Sequence, residues 1–131
     1  MTSGNPLVVD TSALLSIYFE EPTASWAAEQ LERHSGSLIM SMVNVTEVMI
    51  VLRSRRAWPE AQIETRLQSS GIRFVPPSVE HARLAAAARL RFPINLGDCF
   101  CYALAAGENC PILTLDEDFR RCDRPLIFPG T

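Results

Sequence analysis

The sequence predicts an α/β protein with a mainly parallel sheet covered by helices on both faces. Three observations carry this. Short apolar runs rich in β-branched residues alternate along the chain with longer stretches of helical character. The runs are apolar on successive residues, as in strands buried on both sides. With 131 residues, 47% of them apolar, the chain can bury a core without disulfides or a structural metal. One domain spanning residues 1–131 is expected.

The elements follow in order. Leu7-Val8-Val9 reads as a buried strand that ends at Asp10. Thr11 or Ser12 caps a helix through Phe19, and Glu20-Glu21-Pro22 ends it. Thr23 caps a second helix whose Trp26, Ala27, Gln30 and Leu31 share a face. Ser35-Gly36-Ser37 turns into a second strand, Leu38-Ile39-Met40. Ser41 to Glu47 then leads into an apolar helix ending at Arg53, Arg55 and Arg56. A shorter helix spans Glu60 to Ser69, with Gly71 as its stop. Ile72-Arg73-Phe74-Val75 is a third strand closed by Pro76-Pro77. Ser78 caps an alanine-rich helix through Arg91. After a loop, Asp98 opens a helix through Ala106, closed by Gly107. Pro111-Ile112-Leu113-Thr114 is a fourth strand, Asp116 to Phe119 a polar turn, and Leu126-Ile127-Phe128 a last edge strand.

Composition excludes several classes. The net charge of −3 does not mark a nucleic-acid binder. Every basic residue is Arg, and the chain has no Lys. A Walker phosphate loop needs Lys, and haloacid-dehalogenase-like and receiver-like domains place one beside their strand-end Asp. No apolar run approaches a membrane span of roughly 20 residues. The first six residues lack a basic n-region, so no secretory leader and a cytoplasmic location are expected. Cys99, Cys101, Cys110 and Cys122 lack the paired spacing of a zinc site and read as plain thiols. His34 and His81 read as solvated helix residues.

Four acids stand at element boundaries: Asp10, Glu47, Asp98 and Asp116. Asp10 and Asp116 follow strands. Glu47 is placed in the first turn of a helix that follows a strand. Asp98 begins a helix that precedes one. In a parallel α/β sheet all four positions lie over the carboxyl edge, where ligands bind. Singly, each has a structural explanation: Glu47 could complete a capping box with Asn44, Asp98 could be a cap, and Asp116 could belong to a turn. Together they put four carboxylates at one edge with no Lys to neutralise them. A divalent cation would relieve that repulsion. Oxygen-only ligands favour Mg²⁺ or Mn²⁺ over zinc.

Val8-Val9-Asp10-Thr11-Ser12-Ala13-Leu14, Ser41 through Glu47, Gly97-Asp98 with Tyr102-Ala103-Leu104-Ala105, and Leu113-Thr114-Leu115-Asp116-Glu117-Asp118-Phe119 resemble the successive blocks of a PIN domain, with VapC-type toxins nearest. The resemblance implies a three-layer α/β/α sandwich around a five-stranded sheet. It implies Mg²⁺-dependent endoribonuclease activity on RNA, homodimerisation and a VapB-like antitoxin. It assigns Asp10, Glu47, Asp98 and Asp116 to the acidic metal site, Thr11, Ser12 and Thr114 to polar positions beside it, and Asp118 to the turn. Arg120 and Arg121, close after Asp116, are expected at the RNA-binding rim. Tyr18, Phe19 and Trp26 are candidates for an exposed groove that accepts the antitoxin. A PIN nuclease of RNA processing without an antitoxin, and a PIN-fold module that binds without chemistry, remain the alternatives.

Overall fold

The computed structural model describes residues 5–130. The leader reading at residues 1–4 and the last residue of the expected domain lie outside the described residues. Five strands form one sheet in the order β3-β2-β1-β4-β5. They are β1 (Leu7–Val9), β2 (Leu38–Ser41), β3 (Arg73–Val75), β4 (Ile112–Leu113) and β5 (Leu126–Ile127). Every pairing is parallel, so the antiparallel allowance in the sequence reading is not needed. The helices are α1 (Thr11–Tyr18), α2 (Ala24–Arg33), α3 (Met42–Arg56), α4 (Glu60–Gln68), α5 (Val79–Arg91) and α6 (Leu96–Glu108).

Strand periodicity divides the core into layers. Leu7, Val9, Leu38, Met40 and Leu113 face one side, against Leu14 of α1, Val45, Val48 and Leu52 of α3, and Ile63 and Leu67 of α4. Val8, Ile39 and Ile112 face the other, against Cys101, Leu104 and Ala105 of α6. A further cluster joins α5 to the outer side of α6 through Ala85, Ala88, Cys99 and Ala103. Cys99 and Cys101, two residues apart on α6, thus point to different sides. Burial pushes all four thiols up, as befits plain apolar side chains. Among the described residues no helix is long and apolar enough to cross a membrane.

Several helix boundaries differ from the sequence reading. Asp10, not Thr11 or Ser12, occupies the N-cap position of α1, and its side chain makes no capping bond. Thr23 sits at the start of α2 without a capping bond either. Ser41, the last residue of β2, caps α3 by accepting from the Val43 N–H. Asn44 is thus inside the helix, Glu47 lies in its second turn, and no capping box joins them. Asn95 caps α6, and Asp98 is its third residue. That helix also runs through Gly107 to end at Asn109, which adopts the left-handed conformation at φ 49°. His81 is half-buried and completes the capping box with Ser78 at the exposed start of α5. His34 is likewise half-buried at the end of α2, with Nδ1 2.9 Å from the Gln30 carbonyl. Tyr18 is core, not groove: it is 8% exposed and donates to the Arg66 carbonyl.

A candidate acidic centre at the carboxyl edge

The chain crosses the carboxyl edge of the sheet at each residue of interest. Asp10 follows β1 and is buried. Its Oδ2 accepts from Ser12 Oγ at 2.7 Å and from Thr114 Oγ1 at 2.9 Å. Both hydroxyls are themselves held by backbone donors. Ser12 Oγ accepts from the Leu115 N–H at 3.0 Å, and Thr114 Oγ1 from the Asp116 N–H at 2.9 Å. Each hydroxyl has one proton to give, so both protons are committed to Asp10. Burial nevertheless pushes the Asp10 carboxyl up to about 6, against the pull of these donors.

Asp98 is buried in the first turn of α6. Its backbone N–H donates to Asn95 Oδ1 at 2.9 Å, and its carboxylate accepts the long return bond from the Asn95 N–H at 3.4 Å. Burial, then the negative charges of Asp10 and Asp116, push its carboxyl up to about 7. Asp116 caps the 3-10 turn Glu117–Arg121 by accepting from the Asp118 N–H at 2.9 Å. That turn swings Asp118 back, and oxygens of Asp98, Asp116 and Asp118 lie within 4.8 Å of one another. Asp118, assigned to the turn alone in the sequence reading, thus stands beside the acids; its spacing of two from Asp116 in a tight turn is the signal.

Glu47 is half-buried on α3. Its Oε1 accepts from Thr11 Oγ1 at 2.8 Å and Asn44 Nδ2 at 2.9 Å. Among the described residues no ion pair reaches Asp10, Glu47, Asp98, Asp116 or Asp118. Thr11, Ser12 and Thr114, expected beside the acids, each bond one of them directly. Arg120 is exposed but partly engaged: it pairs with Glu117 at 3.0 Å and stacks 4.2 Å from the Phe128 ring centre. Arg121 is exposed.

Comparison with known proteins gives concordant results. The sequence profile of the PIN domain matches residues 7–125. The chain is 34% identical over 133 aligned positions to ribonuclease VapC36 of Mycobacterium tuberculosis, covering 95% of this chain and 94% of that protein. Its fold superposes on that of VapBC2 from Rickettsia felis, solved bound to a promoter DNA fragment, with a TM-score of 0.75 at 15% identity, covering 93% and 97% of the two chains. It superposes on Mycobacterium tuberculosis VapC20, described as a sarcin–ricin-loop-cleaving toxin, with a TM-score of 0.72 at 16% identity over 87% and 92%.

Proposed function

The chain belongs to the PIN domain family, and from that premise we propose that it is the endoribonuclease toxin of a toxin–antitoxin pair, hydrolysing RNA phosphodiester bonds with Mg²⁺. The convergence of buried Asp10 and Asp98 with half-buried Glu47 and Asp116, with no cationic partner among the described residues, carries the proposal. Ionising such a set is costly, and protonation or a bound cation relieves the cost. Oxygen donors alone, close together and partly buried, suit a hard divalent cation. Bound there, Mg²⁺ or Mn²⁺ supplies the Lewis acidity that activates water and steadies the leaving oxygen of a phosphodiester.

The chain's own residues divide the work. Asp10 and Asp98 are the proposed metal ligands. Ser12 and Thr114 hold Asp10 through Oδ2 and so fix the orientation in which its carboxylate would meet the ion. Glu47 and Asp116 complete the site or orient the water, with Asp118 at its open side. Thr11 keeps the Glu47 carboxylate in place. Arg121, and Arg120 to the extent its stacking on Phe128 allows, hold the RNA backbone at the rim.

The test is incubation of the purified, antitoxin-free protein with total RNA, followed by sequencing of new 5′ ends. Discrete ends should form with Mg²⁺, vanish in chelator, and fall roughly 1000-fold in rate for Asp98→Asn. RNA binding without any cleavage would instead favour the non-catalytic module.

Two partner surfaces follow from this reading. Phe19 and Trp26 are half-buried against the core, and Arg56 stacks 4.4 Å from the Phe19 ring centre. They offer an apolar seat with a basic edge for a VapB-like antitoxin. A second copy of the chain is proposed at α5 and α6. Exposed Val79, Leu90 and Leu96 lie there with Ala82, Ala86 and Phe100, and exposed apolar patches of this kind mark interfaces. Antiparallel pairing of α5 with its copy would oppose Glu80 at one end to Arg89 at the other. Leu90 is 88% exposed in the single chain, so Leu90→Arg should keep the native circular dichroism spectrum yet make the protein monomeric in sedimentation. A dimer as tight as the parent's would place the interface elsewhere.

A further inference from the structure

Asn44 is fully buried, and its amide is only partly satisfied. Nδ2 donates to Glu47 Oε1 at 2.9 Å and to the Gly97 carbonyl at 2.9 Å. Oδ1 is buried without a partner. Turning the amide over would aim its oxygen at a carboxylate and a carbonyl, so the orientation is fixed by its neighbours. A buried acceptor left orphaned destabilises a fold and calls for an explanation.

The explanation lies in what the two donors join. The bond to Gly97 is the side-chain hydrogen bond that links α3 to α6 among the described residues. The bond to Glu47 ties the same amide to an acid of the candidate site. Gly97 seals the contact from the other side. A Cβ there would come within 2.7 Å of Glu47 Oε1 and closer still to its other carboxylate atoms. The Glu47 carboxylate therefore rests on the bare Cα of the residue that precedes Asp98. Thr11 supplies a second donor to Glu47 Oε1, from α1.

We infer that Asn44 is a positioning residue: its amide clasps Glu47 to the Gly97 carbonyl and so sets the spacing of the Glu47 and Asp98 carboxylates on which tight divalent-cation binding depends. The inference rests on the metal reading above. It distinguishes Asn44 from a packing residue, for which shape alone would suffice. Leu has nearly the shape of Asn and no donor. Thr keeps one donor.

The experiment is calorimetric titration of the antitoxin-free protein with Mn²⁺ at fixed pH. Asn44→Leu should bind roughly 10–100-fold more weakly, the usual loss when a group that orients a metal ligand is removed. Asn44→Thr should fall between Leu and the parent. In the Glu47→Gln background, Asn44→Leu should cause no further loss, because its effect passes through Glu47. Affinity within twofold of the parent, or equal loss in both backgrounds, would overturn the inference. Should Asn44→Leu fail to fold, Gly97→Ala displaces Glu47 with Asn44 intact and should weaken Mn²⁺ by a similar factor; unchanged affinity would overturn it equally. A parent that binds no Mn²⁺ defeats the metal reading alone. The inference then falls or stands on crystals of the Asn44 variants, where an unmoved Glu47 carboxylate overturns it.

Discussion

Asp10→Asn is expected to abolish RNA cleavage while making the metal-free protein more stable at pH 8. The sign follows from the proton balance. Burial raises the Asp10 carboxyl from 3.8 to about 6 in the folded state. Between those values the folded chain holds a proton that the unfolded chain has released. Stability therefore falls as pH rises through this window, and the full penalty is present above it. A shift of two units corresponds to about 3 kcal/mol. Asn mimics the protonated form, and its oxygen still accepts from Ser12 and Thr114. In chelator at pH 8 the variant should melt roughly 5–10 °C above the parent. At pH 4 the gap should close. Added Mn²⁺ should raise the parent's melting temperature and leave the variant's unchanged. A variant that melts below the parent in chelator at pH 8 would remove the case for a strained carboxylate cluster.

Much of this site was legible in the sequence because α/β topology does the gathering. Asp10 and Thr114 are 104 residues apart, yet both leave strands at the same edge, so their bond follows from the two strand ends being neighbours. Helix starts were less legible. Ser41 and Asn44 are both competent caps three residues apart, and so are Asn95 and Asp98. Which one acts depends on where the preceding backbone is already committed, as Ser41 is to β2. Once Ser41 caps, Asn44 is turned inward, and its partner Gly97 is 53 residues away. No local pattern announces such a pair. Tyr18 was misplaced because α1 is apolar on nearly every side, so its short sequence does not say which face is core. The resemblance assigns Asp118 to the turn, and only the curl of the 3-10 turn brings it back to Asp98.

Phe119→Ala is expected to have the second large effect, on stability and on the site at once. Phe119 is 0% exposed at the centre of the 3-10 turn Glu117–Arg121. It packs in the cluster of Val8, Ile39, Leu104 and Ile112, beneath the sheet. Truncating a buried Phe costs about 3–5 kcal/mol. For a domain of this size that lowers the melting temperature by on the order of 10 °C. Asp116 and Asp118 both stand just before this anchor in the chain, so Mn²⁺ affinity should also fall well below the melt. Phe119→Leu, which keeps most of the buried volume, should recover most of both losses. Urea unfolding monitored by circular dichroism measures the first and calorimetry the second. A stability loss below about 1 kcal/mol would mean that the turn is held by something other than this ring.

The position of β1 has a consequence for how the protein comes into being. It lies between β2 and β4, with Val8 paired to Ile39 on one side and to Ile112 on the other. A chain emerging from the ribosome can pair β1 with β2 early, but β1 waits for β4 until nearly all of the domain has been made. Asp10 waits as long for Thr114, 104 residues on, whereas Asp98 waits only for the short stretch that carries Asp116. The contacts that hold Asp10 are thus among the longest-range in the chain, of the kind that slows folding. A nascent chain carries Asp10 and Glu47 well before it has the elements that gather the candidate acids. On the function proposed above, the candidate site is complete only when the sheet is.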